Sequence, residues 1–357
     1  MNLIKPERNI EVPVSLGLRG LVTIKRRDMR SGMVDYVREE KPNMLLDWYL
    51  NRIFTSGTQA IIHHQAYGGY SAPGGSGADS AIFGPMRYCH IGSDATPTTR
   101  NMTALGNRLA GASASSQERS VVDAVPVWVE QTFVFGAGVG TGTIAEVGIN
   151  VANNTNASMC ARQVVSPAID KNEYHQLEVT WRIELNRSAD TFSGTILAGQ
   201  RDGVSDVNWI ATINNQQLFR IQGKCQANWL NHGNPFASLF GFNSYGNVYL
   251  RTATSNDPSV LTTDGHDLRK GTDLFAGQAP TLEPVAYVNG SYERTSRIGF
   301  DVQHTNGQIG EIVLRNWHTN DTSSNRGGML RVAFAPHLDK IDSFRLFINF
   351  MIKINPS

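Results

Sequence analysis

The cleanest hydrophobic pattern in the chain is LEVTWRIEL, where Leu177, Val179, Trp181, Ile183 and Leu185 alternate with Glu178, Thr180, Arg182 and Glu184. A period of two is what a strand with one buried face requires. TIAEVGINV repeats it, with Ala145, Val147, Ile149 and Val151 set against Ile144, Glu146, Gly148 and Asn150. In VVDAVPVWVEQTFVF, Val125, Val127 and Val129 alternate with Pro126, Trp128 and Glu130. Further strands are predicted over 20–25 and 33–38, around an Arg30-Ser31-Gly32 turn, and over 83–91. SGTILAGQ and VNWIATIN flank an Asp202-Gly203 turn, and Asn306-Gly307 joins strands near 298–304 and 309–315. GGMLRVAFAP and SFRLFINFMIKI complete the set. One segment reads as a helix: from Pro42 onward, Met44, Leu45, Trp48 and Ile53 fall near one face, and Gly57 ends it. Residues 1–15, broken by Pro6 and Pro13, read as an arm.

Most of residues 88–185 is written a second time at 249–354. YCHIGSDATPTTRNMTALGNRL, headed by Tyr88, answers to YLRTATSNDPSVLTTDGHDL, headed by Tyr249. Phe135 falls on Phe300, Ile144 on Ile309 and Glu146 on Glu311, each 165 positions later. Arg162 meets Arg331, Pro167 meets Pro336, and Asp170-Lys171 meets Asp339-Lys340, each 169 positions later. So long a period is wrong for a solenoid and predicts two related domains in tandem. The expected class is all-β, with two antiparallel β-sandwich-like domains and one short helix near the N-terminus. The expected divisions are an arm over 1–19, a first domain over 20–186, an aromatic-rich segment over 187–248 and a second domain over 249–357. The middle segment is read as packing with the second domain, where it takes the place of the strand and helix that precede the first copy.

Composition narrows the function classes. At 357 residues the chain can bury a sizeable core. A formal net charge of +1 gives no broad field for nucleic acid or anionic lipid. The N-terminus MNLIKPERNI is too polar for a signal peptide, and no apolar run is long enough to insert in a membrane. Cys89, Cys160 and Cys225 are too few and too far apart for a disulfide framework or a zinc site, so they read as buried thiols.

The search for chemistry yields no catalytic, cofactor-binding or metal site. His63 and His64 are adjacent, so on a strand they point apart, and no acidic partner lies at ligand spacing. GAGVGTG is followed by a strand rather than a helix, which rules out a phosphate cradle. Glu130 with Glu146, or Glu178 with Glu184, could supply the two carboxylates of a glycosidase, but outward carboxylates on solvated strands explain them equally. Tyr67 and Tyr70, and Phe219, Trp229, Phe236, Phe240, Phe242 and Tyr245, are candidates for stacking on a glycan or meeting a neighbouring subunit.

The order HIGSDATPTTRNMTALGNRLAG, then VEQTFVFGAGVGTGTIAEVGINV, then ARQVVSPAIDKNEYHQLEVTWRIEL resembles tailed-bacteriophage virion proteins of the tail, tail-fibre or neck-collar region. The likeness runs through Gly92, Leu105, Phe135, Gly142-Thr143-Ile144-Ala145-Glu146-Val147-Gly148, Arg162, Pro167, Lys171 and Trp181. RSGMVDYVREEKPNMLLDWYLNRIF resembles that family's lead-in hairpin and helix. The second copy keeps only Ile309-Gly310-Glu311 of the glycine-threonine-isoleucine block. The resemblance implies a non-enzymatic structural subunit made in the bacterial host cytoplasm and built into the virion. Its partners would be copies of itself, in a trimer or a six- or twelve-fold ring, and neighbouring tail, baseplate or neck proteins. The alternatives are a receptor- or carbohydrate-binding module at a fibre tip and a polysaccharide-degrading tail enzyme. The terminal strand sharpens the assembly expectation. Phe347 and Met351 stand where the first copy has Glu178 and Arg182, so that face needs cover, from a neighbouring subunit or from residues 214–245.

Overall fold

The computed structural model describes residues 7–55, 71–72, 75–76, 88–119, 126–150, 158–187, 191–197, 206–213, 248–251, 281–285, 287–300, 307–315, 328–340 and 344–357. The first strands are β1 (Glu7–Asp28) and β2 (Val34–Leu45), followed by the single described helix α1 (Asp47–Thr55). The short pair β3 (Ser71–Ala72) and β4 (Gly75–Ser76) comes next. Then follow β5 (Tyr88–Gly92), β6 (Arg108–Arg119), β7 (Val127–Phe135), β8 (Gly142–Asn150), β9 (Met159–Lys171) and β10 (His175–Arg187). After these come β11 (Thr191–Ile196), β12 (Val207–Ile213), β13 (Val248–Arg251) and β14 (Thr281–Pro284). The chain closes with β15 (Glu293–Phe300), β16 (Gly307–Arg315), β17 (Gly328–Lys340) and β18 (Arg345–Pro356). The all-β class and the one short helix are as the alternation predicts.

The first half is a closed barrel rather than an open sandwich. Eight strands run in the order β1-β2-β9-β8-β5-β6-β7-β10, and β10 pairs back onto β1 from Leu16↔Arg187 to Asp28↔His175. Closure removes the sheet edges that two packed sheets would leave. Both designs place apolar residues at a period of two, so alternation alone does not separate them. The barrel interior is filled by Val22, Ile24, Cys89, Ile91, Phe133, Phe135, Leu177, Val179 and Trp181, all buried.

Strand β1 is the axis of the molecule, and it corrects the expected arm. Ile10, Val12, Val14, Leu16 and Leu18 are buried while the odd-numbered positions between them face outward or lie half-buried. From Glu7 to Leu18 the strand lies parallel to β18, and from Gly20 the same edge pairs with β2. The ladder to β10 begins only at Leu16, so among the described residues Pro13 has a ladder partner on one side of the strand only, which is where a proline fits. Pro42 is also not where the periodicity places it. It sits inside β2 opposite Leu21, and the helix begins at Asp47, whose N–H donates to the Arg100 carbonyl at 2.8 Å.

The second half repeats the pairings of the first. Ile144↔Ile169, Glu146↔Val164, Val147↔Gln163 and Gly148↔Arg162 become Ile309↔Leu338, Glu311↔Ala333, Ile312↔Val332 and Val313↔Arg331. The bulge recurs at the same step, between Ile144 and Glu146 and between Ile309 and Glu311. Each bulge contains a cis peptide bond, Ser166–Pro167 in one and Ala335–Pro336 in the other. Leu177↔Phe135 likewise becomes Leu346↔Phe300. Strands β11 and β12 stand to β17 as β1 and β2 stand to β9. The heading tyrosines are not equivalent, however. Tyr249 pairs with Val313 as His90 pairs with Gly148, so the structural match is two residues out from the Tyr88–Tyr249 alignment.

Candidate functional site

The functional candidate that emerges is a buried ion pair on the outer wall of the barrel. Ile91 and Ile149 alternate inward on β5 and β8, so Gly92, Glu146 and Gly148 face out, and β9 adds Arg162 opposite Gly148. The 93–107 segment covers this wall. Beneath it Arg162 Nε donates to Glu146 Oε2 at 2.8 Å, with the Arg162 and Glu146 side chains 1% and 0% exposed.

Every remaining polar atom of the pair holds the covering segment. Glu146 accepts from the backbone N–H groups of Asp94 at 3.3 Å, Gly106 at 3.2 Å and Asn107 at 3.0 Å. Arg162 Nη1 donates to the Thr96 carbonyl at 2.7 Å and the Thr98 hydroxyl at 3.0 Å, and Nη2 reaches the Asp94 carbonyl at 3.4 Å. Buried charges are tolerated only when paired and hydrogen-bonded this fully. The segment also braces itself. Thr96 donates its N–H and hydroxyl to the Asp94 carboxylate, and these bonds hold that carboxyl below its usual range, with Arg162 adding a smaller push. Gly92 and Gly106 are required by contact: an added Cβ would strike the Glu146 carboxylate at one and the Asp94 carboxylate at the other.

The second half carries the same couple: Arg331 Nε donates to Glu311 Oε2 at 2.6 Å, again buried. A pair sealed from solvent in this way positions a surface loop; it offers no reacting atom to a substrate. The signal was present in the sequence, since Glu146/Glu311 and Arg162/Arg331 are charges kept at constant offsets inside apolar strands. Their mutual contact was not foreseen, because the bulge brings β8 and β9 into a register that alternation does not give.

The other candidates fall as follows. Glu130 and Glu146 are not brought together: Glu146 lies under the 93–107 segment, whereas Glu130 is on β7 between Glu118 and Arg182. Burial raises the Glu130 carboxyl above its usual range, Arg182 opposes this, and Glu118 and Glu40 add to it. Glu178 faces Lys25 at 3.7 Å, and Glu184 is gripped by Arg19 at 2.6 Å and Arg182 at 3.0 Å. Cys89 and Cys160 are buried thiols, with Cys89 pushed up to about 12 by burial. Among the described residues no group of three or more His, Cys, Asp or Glu is placed to hold a metal ion, and no helix is long and apolar enough to cross a membrane. His63, His64, Tyr67, Tyr70, Cys225 and the aromatic residues from Phe219 to Tyr245 lie outside the described residues.

The apolar face of β18 is partly resolved within the chain. The Phe347 ring lies under the Arg297 guanidinium, 3.5 Å from its centroid, and Arg297 is tied to Glu7 at 2.7 Å. Phe347 is therefore buried by its own chain, while Met351 is half-buried. Comparison with known proteins found no matching family model, no matching curated protein and no matching solved structure.

Proposed function

We propose that this chain is a non-enzymatic structural subunit of a bacteriophage virion, in the tail, baseplate, fibre or neck-collar apparatus. In this reading the chain is two tandem related β units that work by presenting fixed surfaces to other copies and to neighbouring tail proteins. The observation that carries the reading is the repeated buried Glu–Arg couple, which in the first half is used to hold the 93–107 segment in place. A catalytic carboxylate needs access to a substrate, whereas a part that works by shape needs loops that do not move. The sequence resemblance to virion proteins supplies the setting. The test is compositional: peptides of this chain should be found in purified, nuclease-treated phage particles at many copies per particle, and a reconstruction should place the chain in the tail or neck. Abundance in infected cells with absence from purified particles would overturn the reading.

A further inference from the structure

We infer that the joint where α1 and the 99–102 turn meet the 287–292 turn and the end of β18 is a latch. It fixes how the second half sits on the first, and the Glu146–Arg162 pair sets it in place. Strand β1 alone does not do this. A ladder along a shared strand fixes register, but the strand can still twist and bend where it passes from one partner to another. β1 makes that passage between Leu18, the last residue paired with β18, and Gly20, the first paired with β2. Removing the freedom takes a second contact, away from the strand.

Helix α1 belongs to the first half: the Leu46 N–H donates to the Cys160 carbonyl at 2.9 Å, and Leu46, Tyr49 and Leu50 are buried. The 287–292 turn leads into β15, which pairs with β18, so it belongs to the second. Asn51 Oδ1 on the helix accepts from the Tyr287 hydroxyl at 2.6 Å and from the Gly290 N–H at 2.8 Å. Further bonds close a circuit. Asp47 donates its N–H to the Arg100 carbonyl at 2.8 Å, and its carboxylate accepts from the Tyr292 hydroxyl. The Tyr292 carbonyl accepts from the Ile354 N–H at 2.8 Å, and Arg100 Nη2 donates to the Pro356 carbonyl at 3.1 Å. Tyr292 has a left-handed backbone, φ 50°, a conformation that a residue with a side chain keeps only where its surroundings impose it. Burial, with the Asp47 bond adding to it, pushes its phenol up to about 12, so it remains a donor throughout the neutral range. Arg100 in turn is placed by the buried pair. It stands in a turn closed by the Met102 N–H on the Thr99 carbonyl at 3.1 Å. Arg162 grips that turn on both sides, donating to the Thr98 hydroxyl at 3.0 Å and to the Met102 sulfur at 3.7 Å.

The test uses the full chain in a Cys225→Ser background, with Cys89 and Cys160 buried. Nitroxide labels are carried by Ser113→Cys on β6 and Ser193→Cys on β11, both exposed positions, one in each half. Double electron–electron resonance reads the distance between them. Asn51→Ala with Tyr292→Phe removes three hydrogen bonds of the joint without touching β1. The distance distribution should broaden and its maximum should shift. Glu146→Gln, which leaves every group of the joint intact, should broaden it as well. Ile91→Val, which loosens the barrel core away from the joint, should leave it narrow. Asn51→Ala and Tyr292→Phe are also measured singly, so the comparison stands if the double variant does not fold. A distribution that superposes on that of the parent in all of these joint variants would overturn the latch. Equal broadening in Ile91→Val would overturn it too, because the loosening would then be general. A narrow distribution in Glu146→Gln would overturn the part assigned to the ion pair.

Discussion

At Glu146 the carboxylate has four donors, so removing its charge strands a guanidinium that is 1% exposed. Breaking a buried pair by neutralising one partner costs roughly 3–5 kcal/mol. Glu146→Gln should therefore lower the unfolding free energy by that amount, read as a lower urea midpoint at unchanged slope, and make the 93–107 segment sensitive to protease. Glu178→Gln, which loses only the half-exposed 3.7 Å pair to Lys25, should cost less than about 1 kcal/mol. Glu130 has the opposite sign. Its folded carboxyl titrates above the unfolded value, chiefly through burial, so its charged form opposes folding. That cost is absent below the usual carboxylate range and develops as pH rises through the raised value. Glu130→Gln should stabilise the fold slightly at pH 7, by less than about 1 kcal/mol and read as a higher melting temperature, and have no effect at about pH 3. The thiols give a third check. Cys89, with its proton held to about 12, should resist a thiol reagent in the native protein, whereas the denatured, unreduced chain should titrate all three cysteines.

Strands β8 and β9 show how much of an element can be read before its contacts are known. Alternation identifies β8, and constant offsets of 165 and 169 match Glu146 to Glu311 and Arg162 to Arg331, pairings that the observed registers reproduce. What alternation does not encode is which edges meet. A strand reads the same in a sandwich and in a barrel, so β10 closing on β1 was illegible. The leading half of β1 was misread for a different reason. Ile10, Val12, Val14, Leu16 and Leu18 alternate faultlessly, and Pro13, a strand breaker by residue type, stands where among the described residues only one edge carries a ladder. The helix start was misplaced because Pro42 suits a first helical turn as well as a strand, and Asp47 decides it only once the Arg100 carbonyl is seen to take its N–H. Gly92, at the end of β5, was legible as a residue but not as a constraint. Gly92→Ala would push a methyl into the Glu146 carboxylate and to 2.6 Å from the Asn107 carbonyl. It should cost about 1–3 kcal/mol, seen as a lower urea midpoint with an unchanged slope.

Across the whole molecule the question is whether one cooperative unit or two respond when β1 is damaged. The strand serves both halves, with Leu16–Leu18 in both ladders: Leu16–Asp28 close the barrel on β10, and Glu7–Leu18 cover β18. A polar group placed at Val12, which is fully buried opposite Phe350, attacks only the second role. Removing Val12 from its apolar surroundings forfeits roughly 1.5–3 kcal/mol, and burying an unpaired carboxylate there adds more. Val12→Asp should thus release the leading half of β1 from its seat. The barrel has its own closed ring of strands, and its closure on β10 from Arg19 to Asp28 does not involve the residues that cover β18. Hydrogen exchange is the measurement. Backbone protection should fall over 7–16, 293–300 and 345–356 and stay high over 88–92, 142–150 and 175–185. Uniform loss of protection through both sets would mean that the two halves fold as a single unit, with β1 as the core they share rather than a strand that one can lend the other.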